Sequence, residues 1–224
     1  MPTAAPARLP LTRFAALDAL PVRHGFVGRV PGVDVTADRA EALARLDGAH
    51  REARHALGVE KRAFATAEQM HGNVVAVLPA GEDLPPFPVA GADALVTDRP
   101  NMCLGIYVAD CGPVYLVDPV RRVVALAHSG RKGTELNITA AVVAAMTARF
   151  GTRPGDVVLQ LGPCIRPPWY ETDIAAEIIA QGRALGLREV HDCGVCTAAN
   201  PDDYYSYRRE KGRTGRMLAL LAPV

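Results

Sequence analysis

Neither sign of charge dominates this chain of 224 residues: 25 Lys and Arg stand against 24 Asp and Glu, a formal net charge of +1. A whole-chain field that would draw in nucleic acid or an anionic membrane is therefore missing, and a small molecule is the expected partner. No window approaches the roughly 18 consecutive apolar residues of a membrane span. The first dozen residues are rich in Pro and Ala, with Arg8 and Arg13, and lack the apolar core of a secretory signal. Five cysteines, an odd number without regular spacing, argue against a disulfide framework and for a reducing compartment, the cytoplasm. There is no internal repeat, no low-complexity tract and no GxxxxGK[ST] phosphate loop. Nothing marks a second domain, and this length suffices for one that buries roughly 70% of its unfolded surface. Residues 1–10 read as a loose arm and 11–224 as a single domain.

What is present is concentrated in three short stretches: Gln69-Met70-His71-Gly72, Ala109-Asp110-Cys111-Gly112-Pro113 and His128-Ser129-Gly130-Arg131-Lys132-Gly133. Each sets one soft or borderline metal ligand beside glycine. Two neutral imidazoles, His71 and His128, with the Cys111 thiolate make a His2Cys set, which suits zinc and leaves a fourth tetrahedral position open for water or substrate. The separations, 40 positions from residue 71 to 111 and 17 from 111 to 128, match no local zinc motif, so the fold must assemble the site. Singly, each residue has a plainer reading: a buried Cys is usually a small hydrophobe and a lone His is usually satisfied by an ordinary hydrogen bond. Cys111 also admits a metal-free role as a nucleophile activated by His71 or His128, and residue types alone do not choose between ligand and nucleophile.

The periodicities predict a mixed architecture. Asp38 followed by Glu41 is a capping-box-like start to an Ala- and Leu-rich helix running to Leu57, interrupted at Gly48 and stopped at Gly58. His50 and His55 on it read as solvent-facing. Short strands are expected over residues 73–78 and 94–97, separated by a Pro/Gly-rich loop, and three more between Leu104 and Ala127. Gly112-Pro113 is expected to bend the backbone beside Cys111 and expose the thiol at a strand end. The turn Ser129–Gly133 should lead into an amphipathic helix with Leu136, Val143, Met146 and Phe150 as its apolar stripe and Gly151 past its end. Its free amides and Lys132 would form an anion cradle. A strand over 157–161, a helix from Thr172 or Asp173 and a strand over 190–196 complete the pattern. Alternation without strict βα repetition favours an α+β or mixed sandwich over a doubly wound sheet.

The three stretches, with His24-Gly25-Phe26-Val27-Gly28-Arg29, Gly162-Pro163-Cys164-Ile165, Cys196-Thr197, Tyr205-Ser206-Tyr207-Arg208-Arg209 and Thr214-Gly215-Arg216, occur in an order that resembles the laccase-domain family. That family is also called the multicopper polyphenol oxidase, or YfiH/YlmD-type purine nucleoside phosphorylase, family. The resemblance covers roughly residues 20 to 222 and implies an α+β fold, a mixed β-sheet sandwich core flanked by helices and similar to cysteine-hydrolase-like domains. It departs at one motif: where the family usually has His-Ala-Gly-Trp-Arg-Gly, an aromatic has become Arg131 and the following arginine Lys132, which puts substrate identity in question. The stretch from Tyr170 to Cys196 is also shorter than usual.

The resemblance implies a zinc-dependent purine nucleoside phosphorylase, with adenosine deamination as a further activity. Zinc would be held by His71, Cys111 and His128. Arg29, Lys132, Arg208 and Arg209 are the implied phosphate-binding cations and Tyr170 a wall of the substrate pocket. Purine nucleoside and phosphate are the implied partners. Copper is the weaker alternative, since a multicopper cluster needs about ten imidazoles, typically in His-x-His pairs, whereas the chain has six His and no such pair. Two further readings stand beside this one: a Cys/His hydrolase in cell-wall precursor editing, and a non-catalytic metal-binding module. Cys103, Cys164 and Cys193 read as structural or incidental.

Overall fold

The computed structural model describes residues 9–224, so the expected arm falls largely outside the described residues; within it, the Pro10 carbonyl already accepts from the Gly28 amide at 2.8 Å. In chain order the elements are β1 (Leu11–Thr12), α1 (Ala15–Asp18), β2 (Val22–Val27), α2 (Arg39–Ala56), β3 (Ala63–Thr66), β4 (Val75–Val77), β5 (Ala94–Thr97), β6 (Met102–Val108), β7 (Gly112–Asp118) and β8 (Val123–Ser129). They continue with α3 (Arg131–Glu135), α4 (Ile138–Phe150), β9 (Val158–Leu161), α5 (Ile174–Ala184), β10 (Glu189–Asp192) and β11 (Met217–Pro223).

Two mixed sheets result, ordered β1-β2-β11-β6-β3 and β10-β9-β7-β8-β5-β4. They pack face to face, β8 lying against β6 and β11. The period-2 alternation of side chains explains the layering. Along β11, Met217, Ala219 and Leu221 enter the core between the sheets, where they join Leu104 and Ile106 of β6 and Tyr115 and Leu126 of the other sheet. Leu218, Leu220 and Ala222 face the opposite way, onto Ala53 of α2 and Leu57. The outer face of the second sheet, through Val114, Leu116, Ala125 and Leu159, is covered by α4 and α5. The fold is thus an α+β sandwich of four layers, helix, sheet, sheet, helices. The Tyr115 hydroxyl donates across the inter-sheet core to the Gly25 carbonyl at 2.9 Å, giving a fully buried phenol its partner.

Several expectations are corrected. α2 runs unbroken through Gly48, which is solvent-exposed and surrounded by good helix formers, so its cost of about 1 kcal/mol is absorbed. Asp38 caps it by accepting from the Glu41 amide at 2.9 Å. The helix after β8 is two helices, because Asn137 adopts a left-handed conformation (φ 53°) and caps α4 through its side chain. Leu136 is in consequence exposed rather than part of the apolar stripe. Pro113 does not bend the chain; it sits within β7 opposite His128, and the turn is made at Asp110, whose φ is 84°.

His50 is buried against Tyr107 (ring centroids 5.5 Å), while His55 is exposed as expected. Burial pulls the His50 pKa down to about 4, against the opposing hydrogen bond to the Arg216 backbone, and His24, also buried, is lowered to about 4 chiefly by the same cause. The unfolded chain takes up these protons near pH 6.5 and the folded chain only near 4, so the unfolded state holds more protons in between. Stability should therefore fall as pH drops from 6.5 to 4, by up to about 3 kcal/mol for each His. Denaturant titrations across that window check this, and His50→Gln should flatten the slope.

Candidate metal and catalytic centre

Three separate segments bring the ligands together. His71 lies on the loop between β3 and β4, Cys111 on the turn between β6 and β7, and His128 near the end of β8. One ligand atom from each lies within 4.8 Å of the other two. The imidazoles of His71 and His128 meet edge to face with centroids 4.7 Å apart. Gly130 makes the approach possible: a Cβ there would stand 2.9 Å from the Cys111 Sγ and 3.2 Å from the His71 ring.

A carboxylate missing from the sequence reading holds this arrangement. Asp93, fully buried just before β5, accepts the His71 amide at 2.8 Å and the Gly72 amide at 2.7 Å, and its Oδ1 meets the His128 Nδ1 at 3.1 Å. Nδ1 of His128 is thus the protonated nitrogen, which leaves Nε2 to face Cys111 as a ligand atom. These bonds, against the cost of burial, hold the Asp93 carboxyl below the usual carboxylate range. The Gln69 side-chain amide clamps the His71 loop to β6 by pairing with both the carbonyl and the amide of Tyr107.

Asp110 performs the equivalent task for Cys111. Its carboxylate accepts from the Thr197 hydroxyl at 2.6 Å, the Ser206 hydroxyl at 3.0 Å and the Arg208 amide at 2.7 Å. Gln69, His71 and Asp110 all have positive φ (68°, 62° and 84°), a left-handed conformation costly for residues other than glycine. The hydrogen bonds to the Gln69 side chain, the His71 amide and the Asp110 carboxylate are what hold it.

Burial by itself would raise the Cys111 thiol, but His128 and His71 outweigh it and bring the pKa down to about 6. Burial would likewise lower His128, which the Cys111 thiolate and Asp93 instead raise to about 9. The buried Cys103 is pushed up to about 12 and the buried Cys164 higher still, so both are inert thiols. Ligation by a cation needs a thiolate and neutral imidazoles, and the donor set fits one borderline ion with an open position. It does not fit a multicopper cluster: among the described residues this is the single group of three ligating side chains brought together.

The cluster lies in a cavity of about 890 Å³, at the upper end of the size of small-molecule sites. Of the residues expected there, Lys132, Arg208 and Tyr170 line it. Two do not. The Arg29 guanidinium pairs with Glu210 at 2.9 Å and covers the Tyr205 ring, and Arg209 donates to the Ala198 carbonyl and lies over the exposed Trp169. Both bind the C-terminal loop together, away from the cavity. The lining also includes Arg39, Lys211 and Tyr107, which lie in none of the matched motifs, and Tyr207 and Arg216, which lie in matched motifs but were not among the expected site residues. Arg131 is tied to Glu135 (2.9 Å) and reaches Glu171, which also binds Arg208 at 2.6 Å, so the cavity rim is crossed by an ion-pair chain.

Comparison with known proteins assigns the chain to a family. The family profile described as multi-copper polyphenol oxidoreductase laccase matches residues 28–181 and 170–223, and the chain belongs to that family. A purine nucleoside phosphorylase of Streptomyces griseus is 36% identical over 76% of this chain and 78% of its own length. One of Streptomyces coelicolor is 32% identical over 92% and 90%. Among solved structures, YlmD from Geobacillus stearothermophilus superposes with a TM-score of 0.83 at 23% identity, covering 98% of each chain. YfiH from Bacillus licheniformis gives 0.78, covering 96% of this chain and 99% of that one, also at 23% identity. No helix is long and apolar enough to cross a membrane among the described residues.

Replacing Asp93 with Asn keeps the size of the side chain but removes the charge that orients His128. If the three side chains hold a divalent ion, the affinity for added zinc, measured by competition with a chromogenic chelator, should fall about 10- to 100-fold. An unchanged affinity in a folded variant would mean that His128 is oriented by something else.

Proposed function

We propose that the chain is a zinc-dependent purine nucleoside phosphorylase, its reaction centred on His71, Cys111 and His128. The observation that carries this reading is the convergence of those three ligands in a cavity lined by basic and tyrosine side chains, in a chain whose relatives carry that name. A bound zinc ion would supply positive charge and an orienting coordination position beside the nucleoside. The rest falls to the protein. Tyr107, Tyr170 and Tyr207 offer flat faces to a purine or ribose. The cationic lining gathers phosphate against its own repulsion and holds it in line with C1′. A phosphate oxygen then forms a bond to C1′ as the bond from C1′ to N9 breaks; the base leaves with the electron pair and takes up a proton, giving free base and ribose 1-phosphate. Adenosine deamination is a second activity for the same cavity, with water replacing phosphate and the C6 amine leaving as ammonia.

A different reading has one observation in its favour. Cys111, His128 and Asp93 stand in the order nucleophile, base and orienting carboxylate, the constellation of a Cys/His hydrolase. Metal content separates the two readings.

Purified protein should carry close to one zinc per chain and lose it on Cys111→Ala. With adenosine, inosine or guanosine it should release free base only when phosphate is present, with ribose 1-phosphate appearing in equal amount; chromatography of both products checks this. Equal base release in phosphate-free buffer would replace phosphorolysis with hydrolysis. Ammonia release from adenosine tests deamination separately.

A further inference from the structure

Two cations of the cavity lining are already engaged by carboxylates, Arg131 by Glu135 and Arg208 by Glu171. Arg39 and Arg216 differ. Both line the cavity, yet their hydrogen bonds go to neutral oxygens only. Arg39 reaches the Glu68 carbonyl at 3.3 Å and the Gln69 side-chain oxygen at 3.5 Å. Arg216 reaches the carbonyls of Thr214 at 2.9 Å and Gly215 at 3.0 Å. Among the described residues neither has a carboxylate partner.

The two guanidiniums also repel each other. Arg216 is held below the ordinary arginine value, first by burial and then by the charge of Arg39, so two like charges address the same space. Lys211, likewise without a carboxylate partner among the described residues, lines the cavity with them. Their positions in the chain set them apart from the Lys132 side. Arg39 opens α2 and Arg216 immediately precedes β11, both in the half built on the first sheet, whereas Arg131 and Lys132 open α3 after β8 of the second. Asp110 and Cys111 lie close enough for Arg216 to feel their charge, but among the described residues none of the three cations is in an ion pair, and two forked guanidiniums with an ammonium form a receptor for a tetrahedral oxyanion, which Arg binds through paired hydrogen bonds.

We propose that Arg39 and Arg216, with Lys211 beside them, form a phosphate-binding subsite of the cavity on the side of the first sheet. The inference rests on the phosphorylase reading for the nature of the anion and deepens it by naming the groups that take it. The same dianionic group has two sources, free inorganic phosphate as the co-substrate or the 5′-phosphate of a purine nucleotide.

Calorimetric titration of the zinc-loaded protein with inorganic phosphate, adenosine and adenosine 5′-monophosphate tests it. Arg39→Gln and Arg216→Gln should each weaken phosphate binding about 10-fold or more, the scale of one hydrogen bond lost to a charged group. Adenosine affinity should hold within about 2-fold, and Arg39→Lys should recover part of the loss. Because Arg216 also ties down its own turn, thermal melting without ligand accompanies each variant, and Arg39→Gln stands as the independent measurement. If the nucleotide displaces phosphate one for one and is weakened equally by Arg39→Gln, the subsite takes the ligand's own phosphate. If nucleotide binding ignores the substitution while phosphate binding falls, the subsite serves the free anion. Unchanged phosphate affinity in both folded variants, or no phosphate binding by the parent protein, overturns the proposal. Base release, measured in parallel, keeps the two readings apart: phosphate-dependent turnover with unaffected titrations sinks the subsite alone, and a phosphate site without turnover sinks the phosphorylase alone.

Discussion

The Asp93 carboxylate is the interaction on which the centre depends. One buried side chain fixes a loop, through the His71 and Gly72 amides, and a strand, through the His128 ring, so that two imidazoles from distant parts of the chain share one anchor. Strand register puts the anchor there. Ala94 of β5 lies opposite Ala127 of β8, and the His128 amide donates to the Asp93 carbonyl at 2.8 Å, so the carboxylate emerges beside the ring it orients. A slip of one residue would turn Asp93 to the other face and leave a charge buried without partners. The sheet and the site therefore stand or fall together, and the cost of burying a charge is offset by filling its acceptor positions with two backbone amides and a ring nitrogen.

Much of this was legible in the sequence, and what was not has identifiable causes. The three ligands were readable because His and Cys beside glycine are few and chemically distinctive. Asp93 was not, because an aspartate before an apolar strand looks like any turn residue until the His71 loop is folded onto it. The strand Met217–Pro223, central to one sheet, is apolar on both faces and so shows no alternation to read. Asn137 gives no signal of its own, because a left-handed asparagine is silent in a hydrophobic pattern that continues on either side of it. Arg29 and Arg209 sit in matching motifs yet act as ties within the C-terminal loop, while Arg39 and Lys211 sit in no motif and face the cavity. Motif membership marked what the fold needs as well as what the chemistry needs.

Charge shows the same separation of scales. A chain with a net charge of +1 has no field to speak of at a distance, yet the lining of the cavity over the His71, Cys111 and His128 cluster is mostly cationic because many of the acids are used elsewhere. Asp118 and Asp156 are spent on Arg121, Asp192 on Arg166, and Glu210 on Arg29. The local excess of positive charge is thus produced by placement rather than by composition, and low-dielectric walls make that placement count.

The glycines at 130 and 133 have a consequence for how such a pocket changes over time. A methyl at 130 would collide with the sulfur and imidazole of the centre, and one at 133 would stand 2.9 Å from the Gly72 carbonyl. Both positions are closed to substitution. The two residues between these glycines, Arg131 and Lys132, project from a backbone that their own side chains do not determine. Mutation can therefore sample new rim chemistry at those two positions while the ligands beneath stay in place, which makes the loop an exchangeable face on a fixed reactor.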